Sequence, residues 1–190
     1  MNLRRRRLLS AAAPAALLVG AALREAGAQA APAVPPEVAA ALPGARLLGS
    51  GRLRVFGMHI YDARLWLGKQ PLSEDWTLVP NALEIVYGRK LEGRQIAERS
   101  IQEMRRQGVI ASAVAERWLM HLIELIPDVG EGDRLTAVNQ PGQALQLLSN
   151  SARRGEIAEA DFARRFIGIW LAPQTSEPQL RTALLGKAGS

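Results

Sequence analysis

Two arginines, Arg52 and Arg54, are the residues best placed to hold an anion. A guanidinium binds carboxylate or phenolate through two parallel N–H donors, and residues two apart on a strand share one face. If that face lines a cleft they form an anion site, and if it faces water they are ordinary surface charges. Tyr61 and Tyr87, the chain's only tyrosines, stand in apolar runs, where each offers a hydroxyl on a ring suited to half-buried packing. His121 precedes Glu124 by three residues, a base beside a carboxylate, but it sits off the apolar stripe of its segment, as a solvated helix face would. Asp128, Glu131 and Asp133 share a glycine-containing loop without the ligand count and spacing of a calcium loop. With no cysteine and two histidines, thiolate and histidine-rich metal sites are excluded. No phosphate-binding glycine loop, serine elbow or paired-carboxylate signature occurs. The expectation is therefore no catalytic constellation, no metal and no cofactor.

The elements that must position these residues begin after an N-terminal address. Arg4 to Arg7 are followed by an apolar run from Leu8 to Leu23 and by small residues at 28–30. That order predicts a signal peptide over residues 1–30, and the paired arginines also fit a twin-arginine signal. The run is 16 residues long and interrupted by Pro14, short of the roughly 20 needed to span a bilayer. Export to the periplasm, or secretion, follows, with no stable transmembrane segment after processing. Residues 1–30 contain five of the 24 basic residues and one of the 18 acidic ones, so 19 face 17 in the remainder. The excess positive charge belongs mostly to the address, and no basic stripe for nucleic acid remains.

Residues 31–45, rich in proline and alanine, read as an irregular leader, and 46–187 as one domain. Leu47–Phe56, Met58–Leu67 and Ala82–Tyr87 are short β-branched, aliphatic and aromatic runs that predict antiparallel strands. In the second run, alternation puts His59, Tyr61, Ala63 and Leu65 on one face and Asp62, Arg64 and Trp66 on the other. Apolar residues at three- and four-residue spacing then predict two helices, one ending at Gly108 and one before Pro127. Leu135–Val138 and Ala144–Leu148 bracket the Gln140-Pro141-Gly142 turn. Helices over Ala160–Leu171 and Glu177–Leu185 close an α+β order.

Several of these stretches resemble the chalcone isomerase-like family, in order along the chain. They are Gly49-Ser50-Gly51-Arg52-Leu53-Arg54 with His59 to Leu67; Ile85-Val86-Tyr87-Gly88-Arg89; Ile101-Gln102-Glu103-Met104; Pro127-Asp128-Val129 with Gly132-Asp133; and Phe162 to Leu171 ahead of Ser176 to Arg181. The collinear set covers most of residues 47–185 and is similar to the exported bacterial branch of the family. The resemblance implies an open-faced β-sandwich, an antiparallel sheet covered by helices with an apolar cleft between. It also implies an anion-steadying arginine just after the Gly-x-Gly turn, at Arg52 or Arg54. The family threonine in the next strand has no counterpart, and Tyr61 and Asp62 stand near that point. The helical tyrosine and asparagine of the plant enzymes are missing, since residues 95–126 contain neither.

Two functions follow as expectations. The first is a non-catalytic protein binding a hydrophobic carboxylate, fatty-acid-like, through Arg52, Arg54, Tyr61 and Tyr87. The alternative is an isomerase- or lyase-type enzyme acting on an unsaturated ketone related to chalcone, or a scaffold for a protein partner.

Overall fold

A computed structural model of the chain describes residues 32–187. The expected signal peptide lies outside the described residues. Among those described, six strands form one antiparallel sheet in sequential order: β1 (Arg46–Val55), β2 (Met58–Leu67), β3 (Asn81–Tyr87), β4 (Arg134–Asn139), β5 (Leu145–Ser149) and β6 (Ala152–Ile157). Helices α2 (Gly93–Arg105) and α3 (Ser112–Leu125) follow β3, and α4 (Ala160–Leu171) and α5 (Pro178–Leu184) follow β6. No described helix is long and apolar enough to cross a membrane.

These four helices pack on one face of the sheet. The apolar alternation of the strands dictates it: Ala63 and Leu65, Leu83 and Ile85, Leu135 and Ala137, Leu145 and Leu147 all point to that side. They meet Ile101 and Met104 of α2, Trp118 and Leu122 of α3, Phe162 and Ile167 of α4, and Leu180 and Leu184 of α5. The α+β architecture expected from the sequence is the one observed.

The other face is open except where a short helix lies, and here the leader needs correction. Residues 36–41 form α1 (Pro36–Ala41), and Val38 and Leu42 are buried against Trp66, Ala82 and Val138. Pro36 occupies the first helical position, where its fixed φ suits a helix and its missing N–H costs nothing. Glu37 fastens the helix: its carboxylate accepts from Arg134 Nε at 2.8 Å, Thr136 Oγ1 at 3.0 Å and Ser151 Oγ at 2.8 Å. Beside it Glu84, 1% exposed, accepts from Arg64 at 3.1 Å and from the Trp66 indole at 2.8 Å. The leader is thus part of the domain.

Register decides which side chains reach the helical layer. The β1–β2 pairing runs Leu53↔Tyr61 and then Arg54↔His59, stepping over Ile60. This bulge shifts the alternation by one residue. His59 therefore sits with Asp62, Nε2 3.4 Å from Oδ2, instead of with Tyr61 as unbroken alternation predicted. Met58 and Ile60 turn toward the helices in its place.

A candidate ligand-binding cavity

Between the sheet and helices α2, α4 and α5 lies a cavity of about 490 Å³. Its wall is mostly aliphatic and aromatic, with Leu53, Ile60, Ile85, Leu147, Phe166 and Leu180 contributing. The volume falls in the range of roughly 300–1,000 Å³ typical of small-molecule sites, and the few polar groups in the wall decide what chemistry it serves.

Two of them are the tyrosines. The rings of Tyr61 and Tyr87 pair edge to face across β2 and β3, with centroids 6.2 Å apart, and both line the cavity. The Trp170 indole N–H donates to the Tyr61 oxygen at 3.0 Å. The Tyr61 oxygen is used as an acceptor, and its own proton has no acceptor among the described residues. Tyr87 makes no side-chain hydrogen bond among them either. Burial pushes the Tyr61 phenol up to about 12; the Trp170 hydrogen bond opposes the shift, while Glu177 and Glu103 add to it. Burial likewise raises the Tyr87 phenol, with Tyr61 contributing. At neutral pH both are protonated donors and neither is a base.

The remaining polar wall comes from Gln95, Arg99, Ser100 and Glu103 of α2 and from Thr175, Ser176 and Glu177 just ahead of α5. Arg99 is bound to Glu103 at 2.6 Å, one turn along α2. Glu103 is buried, and its second oxygen lies 3.6 Å from Arg106 Nε without hydrogen-bond geometry. The cation at this wall is thus already matched by a carboxylate.

Arg52 and Arg54 are not in the wall. Gly51, Leu53 and Val55 point to the helices, so Arg52 and Arg54, which alternate with them, point to the open face. Arg52 is exposed and holds Asp62 with Nε at 2.6 Å and a second bond at 3.0 Å. Arg54 donates to the Gly57 carbonyl at 3.2 Å. The expectation that their shared face lines the cleft is corrected: they share a face, and it is the opposite one. His121 is exposed on α3. In the acidic loop, Asp128 accepts from the Gly93 N–H at 2.9 Å, and Asp133 from Gly130 N–H at 2.7 Å and Asn150 at 2.8 Å. Both carboxylates hold backbone or neighbouring side chains in place.

Trp170 and Phe166, at helical spacing, read as core with some share in lining a cleft, and both line it. Sequence reasoning missed Arg99 and Glu103 as cavity residues, because they read as the polar side of an amphipathic helix. Their signal was the i, i+4 opposite-charge pair next to Ser100, which also occurs on fully solvated helices.

An uncharacterized protein of Haemophilus influenzae is 29% identical over 132 residues, covering 70% of this chain and 63% of that protein. The match spans less than two thirds of that relative's length. Among solved structures, the Arabidopsis thaliana fatty-acid binding protein superposes with a TM-score of 0.60 at 12% identity, over 76% of this chain and 88% of that one. At that identity the likeness is one of fold. The model of chalcone isomerase-like proteins matches residues 34–186, from the start of the α1 segment to the end of α5. This chain belongs to the chalcone isomerase-like family.

Proposed function

We propose that this is an exported, non-catalytic protein that encloses the hydrocarbon tail of one amphipathic acid, an acyl chain with a carboxyl head. The observation that carries the reading is the apolar cavity of about 490 Å³ bearing two phenolic donors that no described residue uses. A carboxyl oxygen accepts from phenols, and the tail lies against Leu53, Ile85, Leu147 and Phe166. Burying such a tail contributes about 0.8 kcal/mol per methylene, so chain burial supplies most of the affinity and the phenols set orientation. A similarly folded protein named for fatty-acid binding supports the same ligand class.

The wall favours binding over turnover. Conjugate addition of the chalcone type needs a cation free to steady an anion. Arg99 is engaged by Glu103, and the phenols stay protonated at neutral pH. Native mass spectrometry of protein purified from the exported fraction tests the reading. One acyl-sized adduct per chain is expected, lost on denaturation. Protein that is empty, and that also takes up no soluble acyl probe, overturns it in favour of a scaffold.

A further inference from the structure

The β1–β2 hairpin ends in an unusual tip. Val55, Phe56 and Met58 are exposed, and Phe56 is 97% exposed, the least covered large apolar side chain among the described residues. The two turn residues, Phe56 and Gly57, have φ of +50° and +78°. Two-residue hairpin turns with both central φ values positive favour asparagine or aspartate followed by glycine. A phenylalanine there is strained, and its ring adds nothing to the core. Strain of this kind, in a residue presented wholly to water, points to a role outside the folded unit.

Cations surround the tip. Arg54 donates to the Gly57 carbonyl within the turn, and Arg89, at the end of β3, reaches the Met58 sulfur at 3.1 Å. Lys90 follows, also exposed. None of the three forms an ion pair among the described residues. The nearby carboxylates are engaged: Asp62 with Arg52, and Glu92 with Gln95 at 3.1 Å. An apolar point ringed by unpaired cations is complementary to one environment, an anionic bilayer surface, where the ring enters the interface and the cations meet phosphates.

We propose that this hairpin is a membrane-docking finger that seats on anionic lipid and sets the cavity mouth against the bilayer. Val55 and Met58 belong both to the exposed tip and to the cavity wall, so a docked tip leaves a continuous apolar path from lipid to cavity. The use of that path for ligand exchange rests on the acyl-binding reading; docking itself does not.

Sedimentation with phosphatidylcholine vesicles, with and without phosphatidylglycerol, tests the proposal on the folded protein. The wild type pellets with the anionic vesicles, less so at high salt, and stays in solution with phosphatidylcholine alone. Phe56→Asn suits the turn, so it keeps or raises the melting temperature while weakening vesicle binding by about tenfold or more. Arg54→Glu with Arg89→Glu abolishes it. Phe56 does not line the cavity, so Phe56→Asn binds a soluble acyl probe like the wild type. Loss of probe binding in both proteins counts against the cavity reading, whereas vesicle binding reports on docking alone. The proposal is overturned if the wild type ignores anionic vesicles, if Phe56→Asn pellets equally well, or if Phe56 instead drives self-association without vesicle binding.

Discussion

The indole nitrogen of Trp170, on α4, donates to the phenolic oxygen of Tyr61, on β2, at 3.0 Å, tying the helical layer to the sheet at the cavity wall. The bond fixes the ring of Tyr61 and leaves its proton for another acceptor. Trp170→Phe removes the donor and some wall volume. A stability loss of about 1–2 kcal/mol is expected, with acyl affinity falling several-fold because the Tyr61 hydroxyl is no longer oriented. Thermal melting and probe titration of the same preparation measure the two effects.

Glu84 is the sharpest test of the open face. It is buried, and it accepts from the Trp66 indole and from Arg64. Glu84→Ala strands that N–H and leaves Arg64 without the carboxylate it holds, at an expected cost on the order of 2–4 kcal/mol. Glu84→Gln retains an acceptor and is expected to cost less. Denaturant melts of the two variants separate charge loss from hydrogen-bond loss.

Gly49 sets how closely α5 approaches β1. A Cβ at this position would overlap the Ala183 and Leu184 carbonyl oxygens, which are backbone and cannot swing aside. Gly49→Ala is expected to cost about 1–3 kcal/mol. It also displaces the helix that carries Leu180 into the cavity, so acyl binding weakens along with stability.

The attachment of α1 is pH-dependent. Burial works to raise the Glu37 carboxyl, but hydrogen bonds from Arg134, its own backbone, Ser151 and Thr136 outweigh it, and the group ends below its ordinary 4.5. A lowered folded value means the stabilisation is fully present above the ordinary value and is lost as pH falls through the folded one. The protection of the α1 amides against hydrogen exchange, taken relative to the intrinsic rate at each pH, is expected to fall on acidification below that range. In Glu37→Gln the helix is looser at neutral pH, and its exchange loses this acid step.

The architecture was legible because period and burial agree in most elements. Ala160–Leu171 is amphipathic enough that the expected and observed helix coincide. The missed strand, β6, reads Ala-Arg-Arg-Gly-Glu-Ile, and only Ile157 is buried. An edge strand carrying its own charges shows little apolar alternation. At α1 two of the prolines that suggested an irregular leader, Pro35 and Pro36, occupy positions a helix start tolerates. For the site, Tyr61 and Tyr87 were legible as polar tips on strand aromatics. The sharing of one face by Arg52 and Arg54 was legible too, but not which face it was. The clue lay just before them: Gly49 and Gly51 occupy the alternate positions, on the opposite face from the arginines, and small residues on a strand mark where a helix comes close. The bulge at Ile60 has no such mark, so the position of His59 could not be read.

The central claim is that the tyrosine-bearing cavity, and not the arginine face, holds the ligand. Isothermal calorimetry with a long-chain fatty acid tests it on wild type, Tyr61→Phe, Tyr87→Phe, Arg52→Ala and Arg54→Ala. The account predicts one site per chain in the wild type. Each tyrosine variant is expected to lose about 0.5–1.5 kcal/mol of binding, and neither arginine variant to change affinity measurably. Wild type that binds no fatty acid, or binding that survives both tyrosine changes and falls with Arg52→Ala or Arg54→Ala, would contradict it.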